Sequence, residues 1–159
     1  MAGKRRKIYC AFTGIKGGAM IFIPREQYAK IIDVLPILCV DIMVQNSKDE
    51  YLLVKRANEP LKGQWWVIGG RVLKGETLEE AAIRKVKEEV GLDISSVKPI
   101  GYYEEISHTN HFNSLTPLHS MSVVFSTTVD GAQKVKLDNQ SSDWKYSQEL
   151  PKGLGIKPF

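Results

Sequence analysis

The segment from Gly70 to Leu92, GRVLKGETLEEAAIRKVKEEVGL, constrains this chain more than any other stretch. It carries start and stop signals for one long helix. Thr77 followed by Glu80 forms a capping box, so the spacing predicts a helix from near Leu78, and Gly91 supplies its C-terminal stop. Leu78, Ala82, Val86 and Val90 recur every fourth residue as a core-facing stripe. At about 100° per residue, Glu89 lands at the edge of that stripe. A bare carboxylate there is costly enough to take up a proton or find a cation, so Glu89 is expected to meet a metal ion or an arginine. Glu88 lies nearer Arg84, with which it forms an i,i+4 pair in the weaker orientation. A solvated, charge-laced helix shows similar residues. The glycine turn and Glu76 ahead of the helix argue instead for a site.

The remaining chain reads as short elements around that helix, with no internal repeat. REQYAKIIDVL after Pro24 is a short helix stopped by Pro36, and ILCVDIMVQ is a buried strand ended by the turn-forming NSKDE. YLLVKRA reads as the return strand of a hairpin, and GQWWVIGGRVL as strand and turn leading into the helix. Residues 97 to 106 and 121 to 129 are further strands, and SDWKYSQEL reads as a last strand feeding a short terminal helix. Strands around one long helix, with a second helix elsewhere, predict an α+β fold whose mixed sheet is covered on both faces.

With 159 residues, 43% of them hydrophobic, the chain can bury one core. Residues 20 to 159 are read as that single domain and residues 1 to 19 as an N-terminal extension of unassigned role. The net charge of +4 owes much to the opening MAGKRRK, and the other basic residues are interspersed with acids, so no nucleic-acid partner is expected. No apolar run reaches the roughly 18 residues a membrane helix needs, and Thr13, Lys16 and two glycines interrupt the stretch after KRRK too early for a signal sequence. Cys10 and Cys39 are the only cysteines, and Cys39 sits in an apolar run, so a cytoplasmic protein with free thiols is expected.

Glu89, Glu88 and a carbonyl of the Gly69-Gly70 turn are hard oxygen donors of the kind that hold Mg²⁺ against a diphosphate. Arg56 and Arg71 are the first choices for phosphate contacts, because a guanidinium fork matches phosphate oxygens.

These residues make the segment resemble a Nudix box with one departure. Lys85 stands where the family pattern has a glutamate after the arginine. Over about residues 20 to 146 the chain resembles one branch of the Nudix hydrolases, the GDP-mannose mannosyl hydrolases. The residues that carry this are PILCVDIMVQNSKDEYLLVKRANEPLKGQWW, GGRVLKGETLEEA, His108, His119 and LDNQSSDWKY. The resemblance implies a Nudix-like α/β/α sandwich and a homodimer. It also implies Mg²⁺ as cofactor, with Mn²⁺ as an alternative, and a nucleotide-sugar substrate such as GDP-mannose or GDP-glucose.

That branch lacks the same glutamate and attacks carbon, displacing a nucleoside diphosphate from C1 of the sugar. Carried over residue by residue, the likeness implies a metal site of the Gly69 carbonyl, Glu89 and Gln140. It implies Arg71 at the leaving phosphate, Arg56 as a second phosphate or nucleotide contact, and Asp41 near the substrate. The N-terminal segment points to Phe22, Ile23 and Tyr28 at the nucleotide, although core or dimer packing explains Phe22 and Tyr28 equally well.

Ser141 stands where the branch has a histidine base after Gln140, and Ser120 where a tyrosine follows His119. A serine hydroxyl is no base at neutral pH. His108 and His119 are the substitutes, with His108 favoured as catalytic and His119 as a substrate contact, unless both are ordinary loop or strand histidines. Two alternatives stay open: attack at phosphorus, for which Glu88 would recruit further metal, and a nucleotide-binding module without turnover.

Overall fold

The computed structural model describes residues 11–13, 20–58, 61–107, 116–130 and 133–159. Its centre is β3 (Ile37–Gln45), which runs parallel to β8 (Leu118–Thr128) and antiparallel to β6 (Ile68–Arg71). β7 (Lys98–Ser107) extends this part beyond β8, followed by the short β10 (Lys157–Pro158). On the other side β4 (Tyr51–Arg56) pairs with β5 (Trp65–Trp66) and β9 (Ser141–Ser147). Separately, β1 (Ala11–Thr13) and β2 (Met20–Phe22) form a two-stranded ladder, so part of the expected extension is paired chain.

β3 is apolar nearly throughout because both its faces are covered, as a strand with a parallel neighbour demands. Val40, Ile42 and Val44 pack with Leu52, Val54, Ile68 and Phe125 beneath Ala81, Ala82, Val86 and Val90 of α2 (Leu78–Val90). On the other face Met43, Leu53, Val67 and Val124 lie under Leu150, Leu154 and Ile156, while Tyr28 and Ile32 of α1 (Arg25–Ile32) pack with Ile37 and Leu118. The predicted α+β architecture, a mixed sheet covered on both faces with one long box helix, is the observed one. α2 has both halves of the capping box, and Gly91 ends it in the left-handed conformation at φ 71°.

Three local expectations are corrected. β3 and β4 are joined by a tight turn, in which Asn46 N donates to Glu50 O at 3.0 Å, but they do not form a hairpin ladder. Only Gln45 and Tyr51 are in register, because β8 and β6 already take both edges of β3. The first helix ends at Ile32 rather than running to Leu35. The residue before Pro36 is disfavoured from helix, and Val34 and Leu35 are exposed. The chain after β9 is not helical: Pro151 and Gly153, at φ 101°, set turns that let Leu150, Leu154 and Ile156 face the sheet. No described helix is long and apolar enough to cross a membrane.

Candidate functional site

The pairing of β6 with β3 places Gly69 beside Asp41, Gly70 beside Val40 and Arg71 beside Cys39. Each glycine lies under a polar side chain, on opposite faces of the sheet. A Cβ on Gly69 would overlap Asp41 Oδ1 and come within 2.6 Å of Val40 O, so only glycine leaves room for that carboxylate. A Cβ on Gly70 would stand 2.8 Å from Lys85 Cε and 3.2 Å from its Nζ, so the lysine stem lies across this residue.

The turn that follows is tied to α2 by Arg84. Its Nε donates to Glu76 Oε2 at 2.9 Å and its Nη2 to Glu76 Oε1 at 2.6 Å and to Arg71 O at 3.0 Å. Nη1 donates to Glu88 Oε2 at 3.1 Å, which is the i,i+4 pair expected from sequence. Glu76 also accepts from Leu73 N at 2.5 Å. Burial pushes the Glu76 carboxyl up, but the Arg84 and Leu73 hydrogen bonds and the charges of Arg84 and Lys85 outweigh it and hold the group below its ordinary range. The box arginine and its lone glutamate are thus the clamp that shapes the loop.

Glu89 is buried, and the side chain that meets it is a lysine rather than the expected arginine: Lys85 Nζ lies 2.6 Å from Glu89 Oε1. The sequence expectation that Glu89 must find a cation holds, and the cation observed is the residue that departs from the box pattern. Burial pushes the Glu89 carboxyl up, Lys85 works against that, Asp138 adds to it and Arg56 opposes it. Asp138 N donates to Glu89 O at 3.1 Å, and both Asp138 carboxylate oxygens accept from Gln140 at 2.8 Å. Gln140 O in turn accepts from Ala57 N at 2.8 Å, next to Arg56. Glu89, Gln140 and Arg56 are therefore brought to one place. Glu88 stands at its solvent edge, with its side chain half exposed, engaged by Arg84 and 3.8 Å from Lys85 Nζ.

On the other face Asp41 is buried and accepts from the Tyr103 hydroxyl at 2.8 Å. Burial pushes the Asp41 carboxyl up, while hydrogen bonds from Ser122 and Tyr103 and the charge of Arg56 pull it down. Burial and the neighbouring Asp41 push the Cys39 thiol up to about 12, which makes it a packing residue rather than a nucleophile. Glu105 acts electrostatically on both Asp41 and Cys39. Sequence reading missed Glu105 and Tyr103. Period-two alternation along GYYEEIS, which puts both on the Asp41 face, was the available signal.

Arg71 lies with its guanidinium 4.3 Å from the centre of the Tyr28 ring, and Tyr28 itself is buried. Tyr28 is thus a core residue that also positions Arg71. Ile23 packs with Tyr28 and Ile32. The side chain of Phe22, and His108 as a whole, lie outside the described residues. His119 bonds Glu104 Oε1 at 2.8 Å. It shares strand parity with Val123, which packs on the α2 side, so it faces away from Asp41 and Ser122.

The Nudix domain family model matches residues 35–151. The chain belongs to the Nudix family. It is 31% identical over 137 residues, 86% of this chain and 85% of the other, to the low-salt glycan biosynthesis protein Agl8 of Haloferax volcanii. It is 35% identical over 119 residues, 74% of this chain and 66% of the other, to an ADP-ribose pyrophosphatase of Methanocaldococcus jannaschii. The solved MutT protein of Methanosarcina mazei Go1 superposes with a TM-score of 0.59 at 27% identity, covering 72% of this chain and 78% of that one.

Nudix hydrolases typically use Mg²⁺ or Mn²⁺, and the donor set here fits such an ion in one respect. Glu89 is a buried carboxylate that already holds a cation, with the Gln140 loop hydrogen-bonded to its backbone. Among the described residues no three His, Cys, Asp or Glu side chains are grouped to hold a metal, so a resident ion would draw on one carboxylate with carbonyl and amide oxygens.

Proposed function

We propose that this Nudix hydrolase cleaves a nucleoside diphosphate sugar, with GDP-mannose or GDP-glucose as the first candidates, by attack of water at C1 of the sugar, releasing free sugar and the nucleoside diphosphate. The observation that carries this reading is the Lys85 ammonium on Glu89. Lys85 replaces a carboxylate that would help to hold metal and activate water at phosphorus, and what remains suits a site that stabilises a departing diphosphate.

In this reading Glu89, the Gly69 carbonyl and Gln140 would hold Mg²⁺, or Mn²⁺ in its place, and the ion would supply charge screening for a departing diphosphate. Arg71, set against the Tyr28 ring, and Arg56, whose charge acts on both Asp41 and Glu89, contribute guanidinium donors to the phosphates. Asp41, fixed by Tyr103, orients the sugar end of the substrate. His108 is the base assigned to the water.

Products from GDP-mannose formed in ¹⁸O-labelled water test this. Label in mannose, with GDP as the other product, is the expected result. Label in GMP would move attack to phosphorus, the chemistry suggested by the ADP-ribose pyrophosphatase relative. Tight nucleotide binding without products would make the protein a binding module.

A further inference from the structure

We propose that Lys85 is a displaceable internal cation. Its ammonium sits where a divalent ion would meet Glu89 and must turn toward Glu88 for that ion to enter, so the site takes divalent metal tightly only together with a diphosphate. This deepens the function proposed above and rests on Glu89 as the metal-binding carboxylate.

Four observations carry it. Lys85 Nζ is 2.6 Å from Glu89 Oε1, with only 8% of either side chain exposed, so the pair is closed off from solvent. The same ammonium is 3.8 Å from Glu88 Oε2, whose side chain is 50% exposed, so a second acceptor stands within a small swing and in contact with water. The stem crosses Gly70, which has no side chain to hold it, and a lysine stem turns about several single bonds. Finally, Glu88 also receives Arg84 at 3.1 Å, and that arginine keeps its fork on Glu76 when the Glu88 contact is shared.

Ammonium and dication cannot share one carboxylate oxygen without strong repulsion in a dry pocket. Together with Arg56 they carry more positive charge than Glu88, Glu89 and Asp138 balance. The diphosphate supplies the missing negative charge, which makes metal and phosphate ligand mutually dependent.

Mn²⁺ binding followed by electron paramagnetic resonance, with and without GDP or ADP, tests this on the full chain. The wild type should bind Mn²⁺ weakly alone and about tenfold or more tightly with nucleotide, while Lys85→Gln should bind Mn²⁺ alone about tenfold more tightly and gain little from nucleotide. Lys85→Arg keeps the charge and should behave as the wild type. The proposal is overturned if Lys85→Gln binds Mn²⁺ no better than the wild type, or if nucleotide leaves the wild-type affinity unchanged although it binds. Should Lys85→Gln fail to fold, ¹⁵N spectra of the lysine ammonium groups of the wild type decide. A protected signal that shifts on adding Mg²⁺ and GDP supports the swing, and one that stays fixed at saturation overturns it. No nucleotide binding by any variant would sink the nucleotide reading of the site, while a gain of Mn²⁺ affinity in Lys85→Gln would still carry the assignment of Lys85.

Discussion

Arg84 grips Glu76 through two parallel hydrogen bonds, Nε to Oε2 at 2.9 Å and Nη2 to Oε1 at 2.6 Å, and so ties the middle of the box helix to the loop before it. Glu76→Gln should lower stability by about 1–3 kcal/mol in urea unfolding, because a largely buried charge-assisted fork loses one charge. Arg84→Lys should not be neutral, since an ammonium cannot match both oxygens. A loss below about 0.5 kcal/mol for Glu76→Gln would show that the clamp adds no more than an ordinary surface pair.

The same clamp sets a pH dependence. The Glu76 carboxyl lies below its ordinary value of 4.5 in the folded chain, so between those two values the unfolded chain binds more protons. Its contribution is complete above 4.5 and is lost as pH falls through the folded value. Urea midpoints measured downward from pH 6 should therefore fall more steeply in the wild type than in Glu76→Gln. Parallel curves would contradict this.

Asp41 has the opposite sign. Burial raises its carboxyl above the ordinary 3.8, so its favourable contribution is complete below that value and is lost as pH rises through the folded value. Asp41→Asn keeps an acceptor for the Tyr103 hydroxyl and removes the buried charge. It should stabilise the protein at pH 7 by on the order of 1 kcal/mol, with a gain that shrinks toward pH 4, while turnover of the proposed nucleotide-sugar substrate falls. Destabilisation at pH 7 would mean that the carboxylate is worth more to the fold than its burial costs.

Gly69→Ala drives a methyl group into Asp41 Oδ1 and Val40 O. Backbone at the centre of a ladder cannot give way cheaply, so a loss of about 1–3 kcal/mol is expected together with loss of turnover. Calorimetry and product assay on the same sample check both.

Glu89→Gln should reduce turnover by roughly a hundredfold or more, the scale of removing a charge that organises the departing phosphates. Arg71→Lys should lose kcat/KM by a smaller factor, because an ammonium cannot stack on Tyr28 and present a fork together. Unchanged turnover in Glu89→Gln would show that the cation position lies elsewhere.

The box helix was legible to its ends, because Thr77, Glu80 and Gly91 act through local hydrogen bonds. So was the need of Glu89 for a cation, which follows from its angle on the helix. The identity of that cation was not legible. Lys85 precedes Glu89 by four residues on the same face, but only the bare Gly70 surface allows its stem to lie flat and close the pair. The β3–β4 turn was readable and the ladder was not, since strand neighbours depend on β8 and β6, which arrive from far along the chain. Asp41 stood out as a charge in an apolar strand, yet Tyr103 could be matched to it only after β8 had been placed between β7 and β3.

The last carbonyls of α2 are met by another stretch of backbone, with Lys136 N on Val90 O at 2.8 Å and Asp138 N on Glu89 O at 3.1 Å, while Gln140 O is fastened to Ala57 N beyond. Helix end, loop and β4 are therefore hinged together like links of one chain. If the proposed site holds, a ligand that tugs on Gln140 would pull on the backbone of Glu89 in the same movement, and selectivity for what enters would be coupled to grip on a bound ion.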